Sequence, residues 1–507
     1  MQKTDKPILA QYTIRAKQDY IFKTNRMLEI VGASAIISDV WKELRKTAIN
    51  IGLIVQTEDD DFQEEDVLNR MKEEKLNLSI LFCGGGNETV LLDSMETYQK
   101  LNRAFSYYLL KEYPGMIPMA VAVEYTGHYK NDYKYLMEKS DIQKRKMISG
   151  QDNFILPFSI MDRNTFLPMG VCDYSVGEER LSEESYSKRK KGKEVRDDRV
   201  KVLDEIITRK NTESLLAIVH ADGNNMGVKI ADLIGNNTTY GDCVRIMRSF
   251  TKKTADVFHT KGIEALEQCQ QAIKERVKKE NLEKLFYAYR VIVADGDDMT
   301  FVCNARYVME YVKAYLKAVS SDGVIDNSDW NYSSCAGICI FHSHYPIKRA
   351  YMLAEQACDN AKKKVHEFNP EQKACVKEEC WVDFHYIHGG ISGDLDEIRY
   401  MQNTEKLMAR PWQLVSENKE TNTRDYRQLE ELATLFIKRG VSRANIKNLA
   451  NACENSTEIW SRELKRVYGH NKGLEQEVNK IFEKQDDLQK AFYDLGEVFD
   501  LWFTEVK

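Results

Sequence analysis

The order of elements written into the hydrophobic pattern of this chain occurs twice, and that repeat limits the possible fold more than any single motif does. In the second half, LLAIVHA (215–221) is a short apolar, β-rich run closed by a glycine turn, which predicts a strand. Amphipathic spacing predicts helices over 240–260 and 263–285. YAYRVIVA and MTFVC predict two strands joined by a DGDD turn, followed by a helix at 305–319, a strand at 333–342 and a helix at 347–365. This β-α-β-β-α-β order with a closing helix is ferredoxin-like: an antiparallel sheet with helices on one face.

The first half repeats it. Strands are predicted at 9–16, LSILFC, ETVLL and IPMAVAVEY, with helices over 25–45, 95–112 and 132–148. The hairpin turn here is GGGN (84–87), with only Glu88 nearby, where the second half carries three carboxylates. Nearly equal spacing from hairpin to last strand implies an internal duplication. The expected fold class is therefore α+β: two ferredoxin-like domains (1–150 and 206–395), an irregular basic linker (151–205) and a C-terminal helical bundle (396–507).

Composition sets the outer bounds. A chain of 507 residues exceeds one hydrophobic core. With 43% hydrophobic and 30% charged residues it is an ordinary globular protein, and a net charge of −6 argues against a broad nucleic-acid-coating surface. No secretory leader or membrane-spanning run is evident, so a cytoplasmic protein without a membrane partner is expected. The eleven cysteines include no CxxC pair, and even Cys335 and Cys339 lie inside an apolar run, so buried thiols are expected.

Lys188, Arg189, Lys190, Lys191 and Lys193 make a basic run in the linker, either a solvated, mobile segment or a contact to RNA or a partner protein. In the tail, helical spacing places Phe482, Phe492, Phe499, Trp502 and Phe503 on one stripe, a core face or a docking face for another subunit.

The chemistry concentrates at two points. Asp222 ends the first strand of the second half, in HADGNNMG, and Asp297 and Asp298 stand side by side in the hairpin. In a ferredoxin-like sheet the first and third strands are central neighbours, so these points meet. Asp295-Gly296 alone signals only a tight turn, but adjacent aspartates in a hairpin repel without a cation. Two divalent cations, Mg²⁺ or Mn²⁺, on Asp222, Asp297 and Asp298, with the Gly223 carbonyl and Asp295 as further ligands, suit nucleotidyl transfer from ATP. The segment Gly223, Asn224, Asn225, Met226 and Gly227 opens a helix whose amides suit a triphosphate, with Gly296 in the facing turn. Lys362, on the last helix, reaches toward phosphate or serves as a solvated helix end. No side-chain general base is evident.

These motifs resemble the large palm-domain subunit of type III CRISPR effector complexes. HADGNNMG is similar to that family's first-strand metal motif, ADGDDMTFVC to its Gly-Gly-Asp-Asp hairpin, and SSCAGICIFHSHYPIKRAYMLAEQACDNAKKK to its last strand and helix. AKQDYIFKTNRMLEIVGASAII resembles the opening of its first palm, and MARPWQL (408–414) the start of its helical domain. The resemblance implies synthesis of cyclic oligoadenylate messengers from ATP in antiviral defence. It also implies an inactive first palm, metal ligation by Asp222 and Asp297 with Asp298 in support, contact of Ser34 with a second nucleotide, and phosphate binding by Lys362. Implied partners are RNA-guided effector subunits with guide and target RNA, or a second copy completing the first palm. The chain departs from the pattern at Asp295, where the hairpin has glycine, and at Asn224, where the strand motif has aspartate. No His-Asp dipeptide marks a nuclease domain, and the zinc-binding cysteine pairs are missing, leaving Cys172; the chain reads as a trimmed form. A structural subunit with altered or no polymerase activity, and AMP transfer to another small molecule, are the alternative functions.

Overall fold

The computed structural model describes residues 6–84, 86–147, 158–174, 179–195, 203–206, 214–235, 239–279, 288–321, 331–368, 380–389, 393–415 and 424–503. The first half runs β1 (Ile8–Arg15), α1 (Lys17–Ile21), α2 (Met27–Asn50), β2 (Val55–Gln56), α3 (Glu64–Lys72), β3 (Leu78–Gly84), β4 (Asn87–Leu92), α4 (Met95–Glu112), β5 (Ile117–Glu124) and α5 (Tyr129–Lys146). Between the halves lie β6 (Val171–Asp173), β7 (Glu179–Leu181) and α6 (Glu183–Glu194). The second half holds β8 (Leu215–Gly223), α7 (Met226–Ile234), α8 (Tyr240–Ala255), a π-helical turn (Asp256–Lys261), α9 (Gly262–Lys279), β9 (Tyr289–Asp295), β10 (Asp298–Asn304), α10 (Val308–Ser320), β11 (Ser334–His342) and α11 (Ile347–Phe368). Then come β12 (Cys380–Tyr386), α12 (Leu395–Met401), β13 (Trp412–Val415), α13 (Tyr426–Lys438), α14 (Arg443–Cys453), α15 (Thr457–His470), α16 (Leu474–Ile481) and α17 (Gln485–Trp502).

Both halves are ferredoxin-like. The strand orders are β2-β3-β4-β1-β5 and β13-β12-β11-β8-β10-β9, so the first and third strands of each repeat are central neighbours. Three expectations need correction. The second sheet has helices on both faces: Ala217, Val219 and Ala221 pack with residues of α9 and α10, whereas Leu216 and Ile218 pack with α11 and the first half. The reason is the helix after the last strand, which crosses back beneath the sheet; Gly337 of β11 lets it approach so closely that a Cβ there would lie 1.9 Å from the Ala354 carbonyl oxygen. Second, residues 408–414, expected to open a helical region, lead into β13, which pairs antiparallel with β12.

The third correction concerns the basic run, which lies on a helix rather than in an irregular linker. Lys188 and Arg189 are buried on α6. Lys188 Nζ donates to Glu184 Oε1 and to the Tyr20 carbonyl, both at 2.6 Å. Arg189 donates to Glu29 and Glu179, each at 2.7 Å. α6 lies on α2 at close range, since a Cβ on Gly192 would fall 2.2 Å from the Leu28 carbonyl oxygen. Acidic partners on α2, Glu29 for Arg189 and Asp39 for Lys191, convert a run that looks solvated into an interface.

The halves share their cores. Leu216, Ile218 and Val302 of the second sheet join Ile30, Ala33 and Ile36 of α2 in one cluster. In the other direction α8 sets Tyr240, Val244 and Met247 against Leu9, Leu81 and Val121 of the first sheet. The tail helices extend the other face of the second sheet: Phe492 and Phe499 are buried there, and Trp502 donates to the Ala305 carbonyl at 3.1 Å. No helix among the described residues is long and apolar enough to cross a membrane.

Candidate active site

β8 is hydrogen-bonded on both sides, to β10 and β11, which fixes where its last residues lie. Met299 pairs with Ala221, and continuing that register sets Asp298 opposite Asp222. Asp298 also pairs with Asp295, leaving Gly296 and Asp297 as a two-residue turn in which Gly296 has φ +65°. A positive φ at the first central position is the requirement glycine meets in hairpin turns. Gly223 is needed for a second reason: a Cβ there would lie 2.8 Å from Asp297 Oδ2. The sheet thus carries Asp222, Asp297 and Asp298 together. Ligand atoms of His220, Asp222 and Asp298 lie within 4.8 Å of one another.

Crowded carboxylates resist ionisation together. Burial, then the charge of Asp222, pushes the Asp297 carboxyl up to about 7. Burial, followed by Asp222, Asp297 and Asp295, holds Asp298 well above the usual range. Lys362 relieves part of this: its Nζ donates to Asp222 Oδ2 and, at 3.0 Å, to the Gly223 carbonyl. A half-buried oxygen-donor set whose members raise one another's pKa fits divalent cations of the Mg²⁺ or Mn²⁺ kind.

The remaining candidates separate. Ser34, Asp295, Asp297 and Asp298 line a cavity of about 430 Å³ between the halves. Asn224 does not contribute a free amide: its N–H donates to the Ser333 carbonyl and its side-chain amide to Ser333 Oγ, both at 3.0 Å. It therefore anchors the end of β8, a role asparagine fills without adding charge. Asn225, with φ +53°, caps α7, and its carbonyl accepts from Val228 and Lys229; Met226 starts the helix and Gly227 faces open space. Asp295 is paired with Lys17 of the first half.

Sequence reasoning missed His220, Lys17 and a polar line on α11. Tyr351 donates to Glu355 at 3.2 Å, and Glu355 and Asp359 precede Lys362 at helical spacing. Burial raises both carboxyls, Glu355 with help from Asp359 and then Asp222, and Asp359 with help from Asp222. The i, i+4 spacing of Glu355 and Asp359 before Lys362 was the available signal. In the first half Thr13 pairs with Asn87 where Asp222 meets Asp298 in the second. The carboxylate that follows Asn87, Glu88, is fully buried against Arg45 at 3.1 Å.

A ferredoxin-like sheet with carboxylates at the end of its first strand and in its facing hairpin is a palm domain in architecture. Residues 215–369 match the family model described as Cas10/Cmr2, second palm domain, so the second half of the chain is similar to that domain. A solved structure agrees in fold. A crystal structure of an apo Csm1-Csm4 cassette shares 12% identity, covering 99% of this chain and 70% of that one, with a TM-score of 0.52. Csm1 in T.onnurineus shares 11%, covering 98% and 69%, with a TM-score of 0.49. No curated protein sequence matches.

Proposed function

We propose that the chain is a nucleotidyltransferase that converts ATP into a cyclic oligoadenylate-type second messenger in CRISPR-like antiviral defence. The observation that carries this reading is the meeting of Asp222, Asp297 and Asp298 at one end of a Cas10-like palm, beside a cavity shared with the first half. In the reaction, the 3′-hydroxyl of one nucleotide bonds to the α-phosphorus of the next, pyrophosphate leaves, and a final transfer closes the ring.

Asp222 and Asp297, with Asp298 in support, would hold two Mg²⁺ or Mn²⁺ ions, which supply acidity to the attacking hydroxyl and charge for the leaving phosphates. The chain's own residues supply the rest. The sheet fixes the carboxylates before substrate arrives, so little reorganisation is required at the moment of reaction. Lys362 adds positive charge on the Asp222 side, where it faces the phosphates. Ser34, on the first-half wall of the cavity, contacts the second nucleotide. The palm match supports subunits of an RNA-guided effector complex as partners, which co-purification with guide RNA would test.

The direct test incubates the protein with ATP and Mg²⁺ or Mn²⁺ and resolves the products. Wild type should yield adenylate oligomers and a ring, and Asp297→Ala/Asp298→Ala should yield neither. Identical empty traces under every activator tried would end the enzyme reading.

A further inference from the structure

Asp295 behaves differently from the other three carboxylates. Its Oδ2 lies 3.2 Å from Lys17 Nζ, and the two side chains are only 32% and 17% exposed. Lys17 opens α1 directly after Ala16, which sits in the left-handed region at φ 52° and ψ 45°. That conformation is unfavourable for alanine and persists where surrounding contacts enforce it. The contacts are present. Between Lys17 and Asn25 the first half grips the second: Asp19 pairs with Lys348 at 2.9 Å, Phe22 stacks on Tyr351 at 4.5 Å, and Asn25 accepts from the Ile347 N–H at 2.9 Å. The facing turn leaves room for the ion pair. Gly86 has φ +66°, and a Cβ there would fall 1.5 Å from Lys17 Nζ and 2.3 Å from Asp295 Oδ2.

We infer that Lys17 is a positioning residue for the acidic hairpin: its ion pair with Asp295 clamps the β9–β10 turn to the first half, and Asp295 serves this clamp rather than a metal. Asp295 closes the same two-residue turn that carries Asp297, so its anchor sets where Asp297 and Asp298 stand at the cavity. Without Lys17, Asp295 becomes a third uncompensated carboxylate beside them and the turn is pushed outward. The catalytic consequence rests on the proposed nucleotidyl transfer; the clamp itself does not.

The test compares Lys17→Met, Asp295→Asn, their combination, and the exchange Lys17→Asp/Asp295→Lys. Three readouts are needed: product formation from ATP, Mn²⁺ binding by electron paramagnetic resonance, and hydrogen exchange of peptides spanning 293–300. Each single change should lower kcat about tenfold, the neutral double should be no worse than either, and the exchanged pair should recover to within about threefold of wild type. Mn²⁺ affinity of Asp295→Asn should stay within about twofold of wild type. Lys17→Met should speed exchange at the turn. A loss of Mn²⁺ affinity of about tenfold in Asp295→Asn would make Asp295 a ligand and overturn the inference. Unchanged exchange at the turn in Lys17→Met would also overturn it. A wild type without product counts instead against nucleotidyl transfer, while metal binding and exchange still decide the clamp.

Discussion

Lys362 and Asp222 form an ion pair in which the same ammonium also donates to the Gly223 carbonyl at 3.0 Å, tying α11 to the end of β8. Burial works hardest against the lysine charge, but Asp222, Cys358 and Asp297 together outweigh it and the pKa of Lys362 is raised. Lys362 in turn pulls down the carboxyls of Asp297 and Asp298 against burial and Asp222, which raise them. The ammonium that pairs with Asp222 therefore also moderates both hairpin carboxyls.

Replacing Lys362 by methionine should move metal binding to higher pH. Cation binding requires deprotonated carboxylates. Loss of the ammonium raises the Asp297 and Asp298 carboxyls further, so the midpoint of Mn²⁺ affinity against pH should rise by about one unit. Isotherms between pH 6 and 9 measure it, and a midpoint equal to wild type would mean that Lys362 does not tune the carboxylates.

The metal-free protein should lose stability as pH rises toward neutrality, through Asp297. Its carboxyl is held at about 7 in the fold, by burial first and Asp222 second, against about 3.9 in an unfolded chain. Between these values the folded state binds more protons than the unfolded one, so its contribution to stability falls as pH increases. Asp297→Asn should therefore raise the Tm of metal-free protein at pH 8 by roughly 2–4 °C and have a smaller effect at pH 4.5. Calorimetry at the two pH values, with chelator present, decides; an equal effect at both would show that the aspartate is not protonated in the fold.

The repeated element order, the central position of Asp222 and the hairpin aspartates were legible because each rests on a short local pattern: an apolar run, a turn, an alternation. Lys362 was legible from its place on the last helix and Ser34 through resemblance; Lys362 pairs with Asp222, and Ser34 lines the cavity with Asp297 and Asp298. What stayed hidden depends on distant partners. Lys17 and Asp295 are 278 positions apart, and Arg189 and Glu29 are 160 apart, so the charge run at 188–193 gave no sign of burial. β12 (CWVDFHY) is strand-like in composition but stands outside the repeated order, and β13 has only four residues. Asn224 looked like a departure at a metal site because its partner, Ser333, lies 109 positions away, just before the neighbouring strand.

The buried charges on α6 should make Arg189 more sensitive than its exposed neighbour. Arg189→Met leaves Glu29, 1% exposed, without its counter-charge; breaking such a pair costs about 3–5 kcal/mol. Removing both partners as Glu29→Met/Arg189→Met should cost less than Arg189→Met alone, because no charge is then stranded. Lys190→Ala, on the solvent side, should stay within about 0.5 kcal/mol of wild type. Urea unfolding gives the comparison. If Arg189→Met costs no more than Lys190→Ala, the ion pairs do not hold α6 in place.

A methyl group on Gly223 should damage the site while sparing the fold. The added carbon would lie 2.8 Å from Asp297 Oδ2 and 2.9 Å from both Asp297 Cβ and Met226 Cγ. β8 is locked between two strands, so the displacement falls on the hairpin side chain rather than on the sheet. A misplacement of this kind costs a near-attack geometry about 10–100-fold in turnover. Gly223→Ala should accordingly lose most product formation from ATP with a Tm within a few degrees of wild type, while Gly469→Ala, at an open position on α15, serves as the control for a glycine change alone. Full turnover in Gly223→Ala would mean that Asp297 does not need its present position against the end of β8.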